Sequence, residues 1–450
     1  MSSIALWLKG GFIMKRAVSL ILVLSMLFAL VSCVADYKKN SLASAAEKMS
    51  VSYSDARQDG YAEFLERLER FAAKLTYEVY SDNEKQSNVC ISPISVYMAL
   101  ALATECAGGE TRAEILDAVG VTYDEVRSFT KYLYAFSNME FYYRDLLENR
   151  QVSAFEELAN SLWANKALRL KQSCIDDLAT NYHCDLFAAE LHTDEGEKAI
   201  NSYIKDKTHG IIDGGIDLSP ETVITLINTF YLKEVWNAFG DKLTFTDKAY
   251  DFKNADGSIT STKLLQGYYF NGKAFEGDGY TSFYTRTEHG FDIKFILPTE
   301  GHSLDEVFTE ENIYTINNLG DYESVDDENM LLYHTRVFFP EYKASFDGDI
   351  LTILKDRFGI DSLFDVDRCN LSTLTDDPVY FSSVIHKCSL DVNARGIEGA
   401  AVTVMVGDGA AGPGEYEDVY QDYIVDRAFG FVISDHFGAV LFSGVVNGIE

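Results

Sequence analysis

The chain is poor in positive charge: 38 Lys and Arg stand against 70 Asp and Glu, a formal net charge of −32. It has no Lys/Arg cluster. Binding a phosphate backbone needs local positive charge, so nucleic acid is not an expected partner. The same lack speaks against a polyanion site of the heparin type. The acidity itself reads as a solubilising surface.

Catalytic signatures are missing too. The sequence contains no GxSxG, HExxH, Walker or GxGxxG context. Its eight histidines are scattered, and His183 and His192 lack partners at metal-ligand spacing. DFKNADGS, from Asp251, lacks the alternating acids of a calcium loop and reads as a turn between strands. Seven cysteines include no CxxC; the nearest pair is Cys174 and Cys184. Zinc spacing is therefore absent, disulfide connectivity is not readable, and small core residues are expected. No internal repeat and no composition break divides residues 61–450. The expectation is a single large domain that is not an enzyme and carries no cofactor or metal.

Hydrophobic residues make up 47% of the chain, enough to bury a large core and to exclude global disorder. At the N-terminus, MKRAVSLILVLSMLFALVSC runs from Met14 to Cys33. Lys15 and Arg16 ahead of a short apolar run have the layout of a signal peptide, with residues 1–13 preceding it. Its end, Leu30-Val31-Ser32-Cys33, resembles a bacterial lipobox, where the chain is cut before Cys and the thiol is lipidated. A transmembrane helix is the competing reading, but the run is short and Ser32 is small. The expectation is an exported protein, anchored to a bacterial cell surface through lipid on Cys33. Residues 34–60 are polar and aperiodic and read as a flexible tether.

Beyond Tyr61 the apolar spacing Tyr61, Phe64, Leu65, Leu68, Leu75, Val79 predicts a long amphipathic helix. Ser92-Pro93 predicts a helix entry with a capping hydroxyl. Gly108-Gly109 stops that helix, and Thr111 with Glu114 has capping-box spacing for the next. Further helices are expected at about 173–184, 195–208 and 347–358. TVITLINTFYL, from Thr222, is apolar nearly throughout, like a central strand buried on both faces. HGFDIKFILP, TRVFFPEYKASF, VYFSSVIHKCSLDV, AFGFVISD and GAVLFSGVV predict later strands. Helices early and strands late, without βαβ alternation, give an α+β class.

One segment fits neither category. GIEGAAVTVMVGDGAAGPGEYEDVY, from Gly396, combines the Gly and Ala of a flexible loop with β-branched residues that prefer strand.

Five collinear stretches resemble the serpin family across essentially all of 61–450. NVCISPISVYMALALATECAGGETRAEIL resembles its buried strand meeting the second helix. INTFYLKEVWNAF resembles the family run Asn-Ala-Xaa-Tyr-Phe-Lys-Gly-Xaa-Trp. VIHKCSLDVNARGIEGAAVT resembles the strand entering the reactive-centre loop, and YIVDRAFGFVISD and LFSGVVN resemble the C-terminal strands. The resemblance implies three β-sheets, about nine helices and an exposed reactive-centre loop at about 394–420. It implies a monomeric suicide-substrate inhibitor: a target serine protease forms an acyl-enzyme with the loop, which then inserts into the main sheet. Ser92, Ser95, Asn228 and His386 match the hydrogen-bonded shutter beneath that sheet, and Trp236 matches the breach where insertion starts.

On the family register the hinge comprises Gly396, Ile397, Glu398, Gly399, Ala400, Ala401, Val402 and Thr403. Strand alternation turns Ile397, Gly399, Ala401, Thr403 and Met405 inward, and Glu398, Ala400, Val402 and Val404 outward. The inward set carries no charge. The segment is then loop before cleavage and strand after it. Ala394 and Arg395 depart from the acidic hinge residues of the family, Ile397 from its Thr or Ser, and Ala428 from its Pro. Counting about fourteen residues from Gly396 puts the scissile bond at Ala410-Ala411, where a small residue suits elastase-like or subtilisin-like proteases. Counting back from Phe429 points instead to 413–417, with Glu415 or Tyr416 as alternatives. The competing function is a non-inhibitory surface lipoprotein, binding or structural, whose loop is only cut.

Overall fold

The computed structural model of the protein describes residues 36–449, apart from 53, 84–86, 145–150, 213, 217, 237–241, 320–323, 327–328, 398–415 and 436. Three sheets of eight, six and five strands and one small hairpin make up its β structure. This bears out the α+β reading with three sheets.

The long helix Tyr61–Asp82 forms where the spacing predicts it, burying Tyr61, Phe64, Leu65, Leu75 and Val79. The next, Pro93–Cys106, is apolar around its whole circumference and almost every residue of it is buried. A helix hydrophobic on all sides belongs inside a core. It lies under the eight-stranded sheet, packed against strand Ile224–Val235. On the other face of that sheet, helix Asp194–Lys207 sets Ile200, Tyr203 and Ile204 in a second cluster with Trp163, Phe187 and Ile227. The central strand is therefore covered on both faces, which is why its sequence is apolar without alternation.

In the main sheet, Gln151–Asn165 pairs antiparallel with Ile224–Val235 from Phe155↔Lys233 to Ala164↔Ile224. Ile385–Asn393 pairs with Tyr342–Asp349 on the far side. Between these two halves stands a two-residue strand, Gly396–Ile397. It pairs with Val235 and Glu234 on one side and with Asn393 and Val392 on the other.

Several expectations need correction. The expected flexible tether is docked over part of its length: Ser41–Ala43 adds an edge strand beside Cys184–Ala189, and Tyr37 is buried. TRVFFPEYKASF is two strands, Leu331–Phe339 and Tyr342–Asp349, which belong to different sheets. Pro340 sits at the break, where a missing N–H cannot continue a ladder. The helix expected from 347 starts at Leu351, and the strand expected from Val379 starts at Ile385. Thr111 and Glu114 do not form a capping box. Glu114 Oε2 instead accepts from the backbone N–H groups of Asp361 (2.9 Å) and Ser362 (2.6 Å). DFKNADGS is a hairpin turn, as expected, between Tyr250–Lys253 and Ile259–Thr262.

Among the described residues no helix is long and apolar enough to cross a membrane, and no group of His, Cys, Asp or Glu has metal-site geometry. Cys33 and the apolar run before it lie outside the described residues.

Candidate functional site

Of the residues assigned to the hinge, Gly396 and Ile397 are described. Ile397 is buried at 1% exposure opposite Val392, on the inward face. Gly396 is required at its position: φ is +147°, and a Cβ there would lie 2.0 Å from the Glu234 carbonyl oxygen. Chain enters the ladder through a tight turn, with the Arg395 N–H donating to Asn393 Oδ1 at 2.9 Å. Ala394 is buried, its N–H donating to Glu341 Oε1 at 2.8 Å, while Arg395 is exposed. The two departures from an acidic hinge thus have separate surroundings: one joins the core and one faces solvent. Glu398, Gly399, Ala400, Ala401, Val402 and Thr403 lie outside the described residues, as do Ala410, Ala411 and Glu415. Tyr416 is exposed and abuts strand Glu417–Ile424, which pairs parallel with Leu331–Phe339.

Around the top of the sheet Trp236 is buried, and its indole Nε1–H donates to the Asn393 carbonyl at 2.8 Å. That bond ties the end of strand Ile224–Val235 to the end of Ile385–Asn393. Phe339 meets the indole edge-on at 5.4 Å between centroids.

The motif carried no warning of Glu234. It stands where the family run has Gly, it is fully buried, and it is the ladder partner of Ile397. Its carboxylate accepts from the Val235 N–H (2.6 Å) and meets His289 Nδ1 at 2.8 and 3.0 Å. Burial raises the carboxyl above its ordinary range, while the bond and charge of His289 act against that shift. His289 arrives on the turn between strands Tyr280–Arg286 and Asp292–Pro298, fifty-five positions away. No local signal marks the pair; only the unusual acid inside an apolar strand could have drawn attention to it.

Lower down, the four residues matched to a shutter divide into two sets. Ser95 Oγ donates to Asn228 Oδ1, and Asn228 Nδ2 donates to Asn160 Oδ1 on the neighbouring strand. Asn160 Nδ2 then reaches the Tyr182 carbonyl at 2.8 Å. On the other side, the Ser92 N–H donates to His386 Nε2 at 3.2 Å. Ser92 Oγ, expected as the cap, makes no side-chain cap bond, so the imidazole rather than the hydroxyl engages the start of the helix. Accepting that bond requires a neutral ring, and burial pushes His386 down to about 4.

Both halves of the sheet are thus fastened to one helix N-terminus, through Asn228 on one side and His386 on the other. Among the described residues no ladder joins Ile224–Val235 to Ile385–Asn393 directly. A cleft lies there, lined by Ser95, Leu226, Asn228, Ile385 and His386.

The family described as Serpin (serine protease inhibitor) matches residues 66–448. Among curated relatives, alpha-1-antiproteinase S of Cavia porcellus is 27% identical over 379 residues, covering 82% of this chain and 86% of its own. Putative serpin-Z5 of Oryza sativa subsp. japonica is 26% identical over 416 residues, covering 84% and 88%. In structure the chain is similar to the native state of tengpin, a thermophilic serpin, with a TM-score of 0.70 and 21% identity over 91% of this chain and 99% of that one. With the match running through helix, hinge and C-terminal strands alike, the chain belongs to the serpin family.

Proposed function

We propose that this protein is a suicide-substrate inhibitor of serine proteases, acting by insertion of its cleaved loop into the main sheet. The observation that carries the reading is the Gly396–Ile397 strand, seated between two strands that, among the described residues, have no ladder to each other. Its register adds a second support. Continued residue by residue, the pairing Ile397↔Glu234 and Ile397↔Val392 brings Thr403 opposite both Asn228 and His386. The inward series would then present only apolar or small groups to the cleft, with Thr403 the one hydroxyl, arriving where the polar shutter groups stand. Insertion over some ten ladder bonds at ~1 kcal/mol each is favourable by on the order of 10 kcal/mol.

Chemically, the protease supplies the reaction. Its nucleophile attacks a loop carbonyl, forming an acyl-enzyme and releasing the new N-terminus on the C-terminal side. The tethered acyl group then travels with the inserting strand before water can release it. Cleavage at Ala410-Ala411 fits this better than Tyr416, because strand Glu417–Ile424 begins directly after Tyr416. A small residue at 410 selects elastase-like or subtilisin-like enzymes. The Cys33 lipid anchor and a surface location complete the reading: an inhibitor facing proteases in the medium. Radiolabelled fatty acid retained by the wild type and lost in Cys33→Ala would support that anchor.

Incubation with pancreatic elastase or subtilisin, followed by denaturing gel electrophoresis, tests the function. A heat-stable band at the mass of the protease plus the fragment ending at Ala410 is expected, with the companion fragment starting at Ala411. Cleavage without a stable complex would favour the non-inhibitory alternative.

A further inference from the structure

Two thiols meet between the six-stranded sheet and the main sheet. Cys90 and Cys388, 298 positions apart, place their Sγ atoms 3.4 Å from each other, and both are buried. Cys90 lies on strand Val89–Ile91 of the six-stranded sheet, and Cys388 on Ile385–Asn393 of the main sheet. The contact is one of a pair. Two residues on from Cys90, the Ser92 N–H bonds His386, two residues back from Cys388. His386 and Cys388 share the buried face of their strand and reach the same short segment, one at the Ser92 backbone N–H and the other at the Cys90 thiol. Cys106, Cys174 and Cys184 gather elsewhere in the core, with the Cys106 thiol hydrogen-bonded to Cys174, so they do not compete for Cys90.

We propose that Cys90 and Cys388 close a disulfide when the chain folds in the presence of a disulfide oxidant. One cysteine, as thiolate, attacks the oxidant's S–S bond and releases its first thiol. The second cysteine then attacks the mixed disulfide and releases the other. Two protein thiols are oxidised, one small-molecule or protein disulfide is reduced to two thiols, and the two protons lost by the protein cysteines end on the two released thiols. Burial keeps the Cys90 thiol protonated in the finished fold, so the bond forms during folding and resists reduction afterwards. The product fastens the His386 strand covalently beside the entry of the shutter helix and closes a very long loop in the unfolded chain.

The test is refolding of the full chain with reduced and oxidised glutathione, alkylation, and mass spectrometry of a non-reduced digest. A linked peptide pair containing Cys90 and Cys388 is expected in most molecules. Reduction under denaturing conditions and refolding without oxidant should lower the melting midpoint by roughly 5 °C or more. In Cys388→Ala, which needs no new space, Cys90 should be alkylated and the melting midpoint should no longer depend on the oxidant. Alkylation of both cysteines in oxidised, folded wild type would overturn the proposal, as would linkage of either to Cys106, Cys174 or Cys184.

Discussion

Glu234 and Ile397 are cross-strand partners, so a fully buried carboxyl group stands beside the first apolar side chain of the hinge. A raised carboxyl binds its proton more tightly in the folded chain than in the unfolded one. Its contribution is then largest below the unfolded value near 4.5 and is lost as pH rises through the folded value. Glu234→Gln keeps the shape and removes that titration. The stability of the variant relative to wild type should therefore increase with pH from about 4.5 upward. Melting curves of both proteins across that range check it; a difference that does not vary with pH would contradict it.

His386 acts with the opposite sign. Its folded value of about 4 lies below the ordinary 6.5, so the unfolded chain takes up the proton first as pH falls. Between about 6.5 and 4 the native state loses on the order of 3 kcal/mol through this group alone. Glu69 and Asp435, pushed up by burial to about 7 and about 6, offset part of that loss in the whole protein. The comparison with His386→Asn isolates the histidine, because the other groups are common to both. The wild type should lose roughly 3 kcal/mol more than the variant on going from pH 7 to pH 4, read from denaturant unfolding at each pH.

Gly396→Ala should expel the hinge from the ladder. The added methyl would meet the Glu234 carbonyl at 2.0 Å and the backbone would be held at a φ that L-residues avoid. A cost of about 1–3 kcal/mol is expected at this site. Amide hydrogen exchange reads it locally: protection of Ile397, whose strand pairs on both sides, should fall while that of Phe431 and Leu441 in the six-stranded sheet stays unchanged.

Alternation along the loop gives a paired comparison. Thr403→Arg would place a charge on the cleft face and Val402→Arg on the opposite face of an inserted strand. Burying an unpaired charge costs several kcal/mol. The first substitution should raise the number of inhibitor molecules consumed per protease about tenfold or more, and the second by less than twofold. Equal effects would remove the register on which the insertion account depends.

How much of this was legible beforehand follows from the range of the interactions. The helix Tyr61–Asp82 and the strand around Asn228 announce themselves through local apolar patterns, which burial then fulfils. Ser95, Asn228, His386 and Trp236 were found by resemblance, and the structure places each at a junction between strands or at the helix start. Local spacing misled where a distant partner competed. Glu114 has the position of a capping-box residue, yet it serves Asp361 and Ser362, 247 and 248 positions away. The segment around Ser41 is held at the sheet edge by backbone pairing with Leu42 exposed, so nothing separates it from a linker by composition. The Glu234–His289 pair was invisible for the same reason as the Cys90–Cys388 contact: each joins two sheets whose strands are far apart in the chain.

Inhibition by insertion requires the severed loop to fill the gap between Ile224–Val235 and Ile385–Asn393. Purified protein nicked at a single bond in 410–417 and its intact parent should be melted side by side under the same buffer and scan rate. The nicked form should unfold at least about 20 °C higher, since a filled central position adds ladder bonds and packing on both sides. An unchanged or lower transition for the nicked form would mean that the cleft stays empty after cleavage and that trapping does not occur.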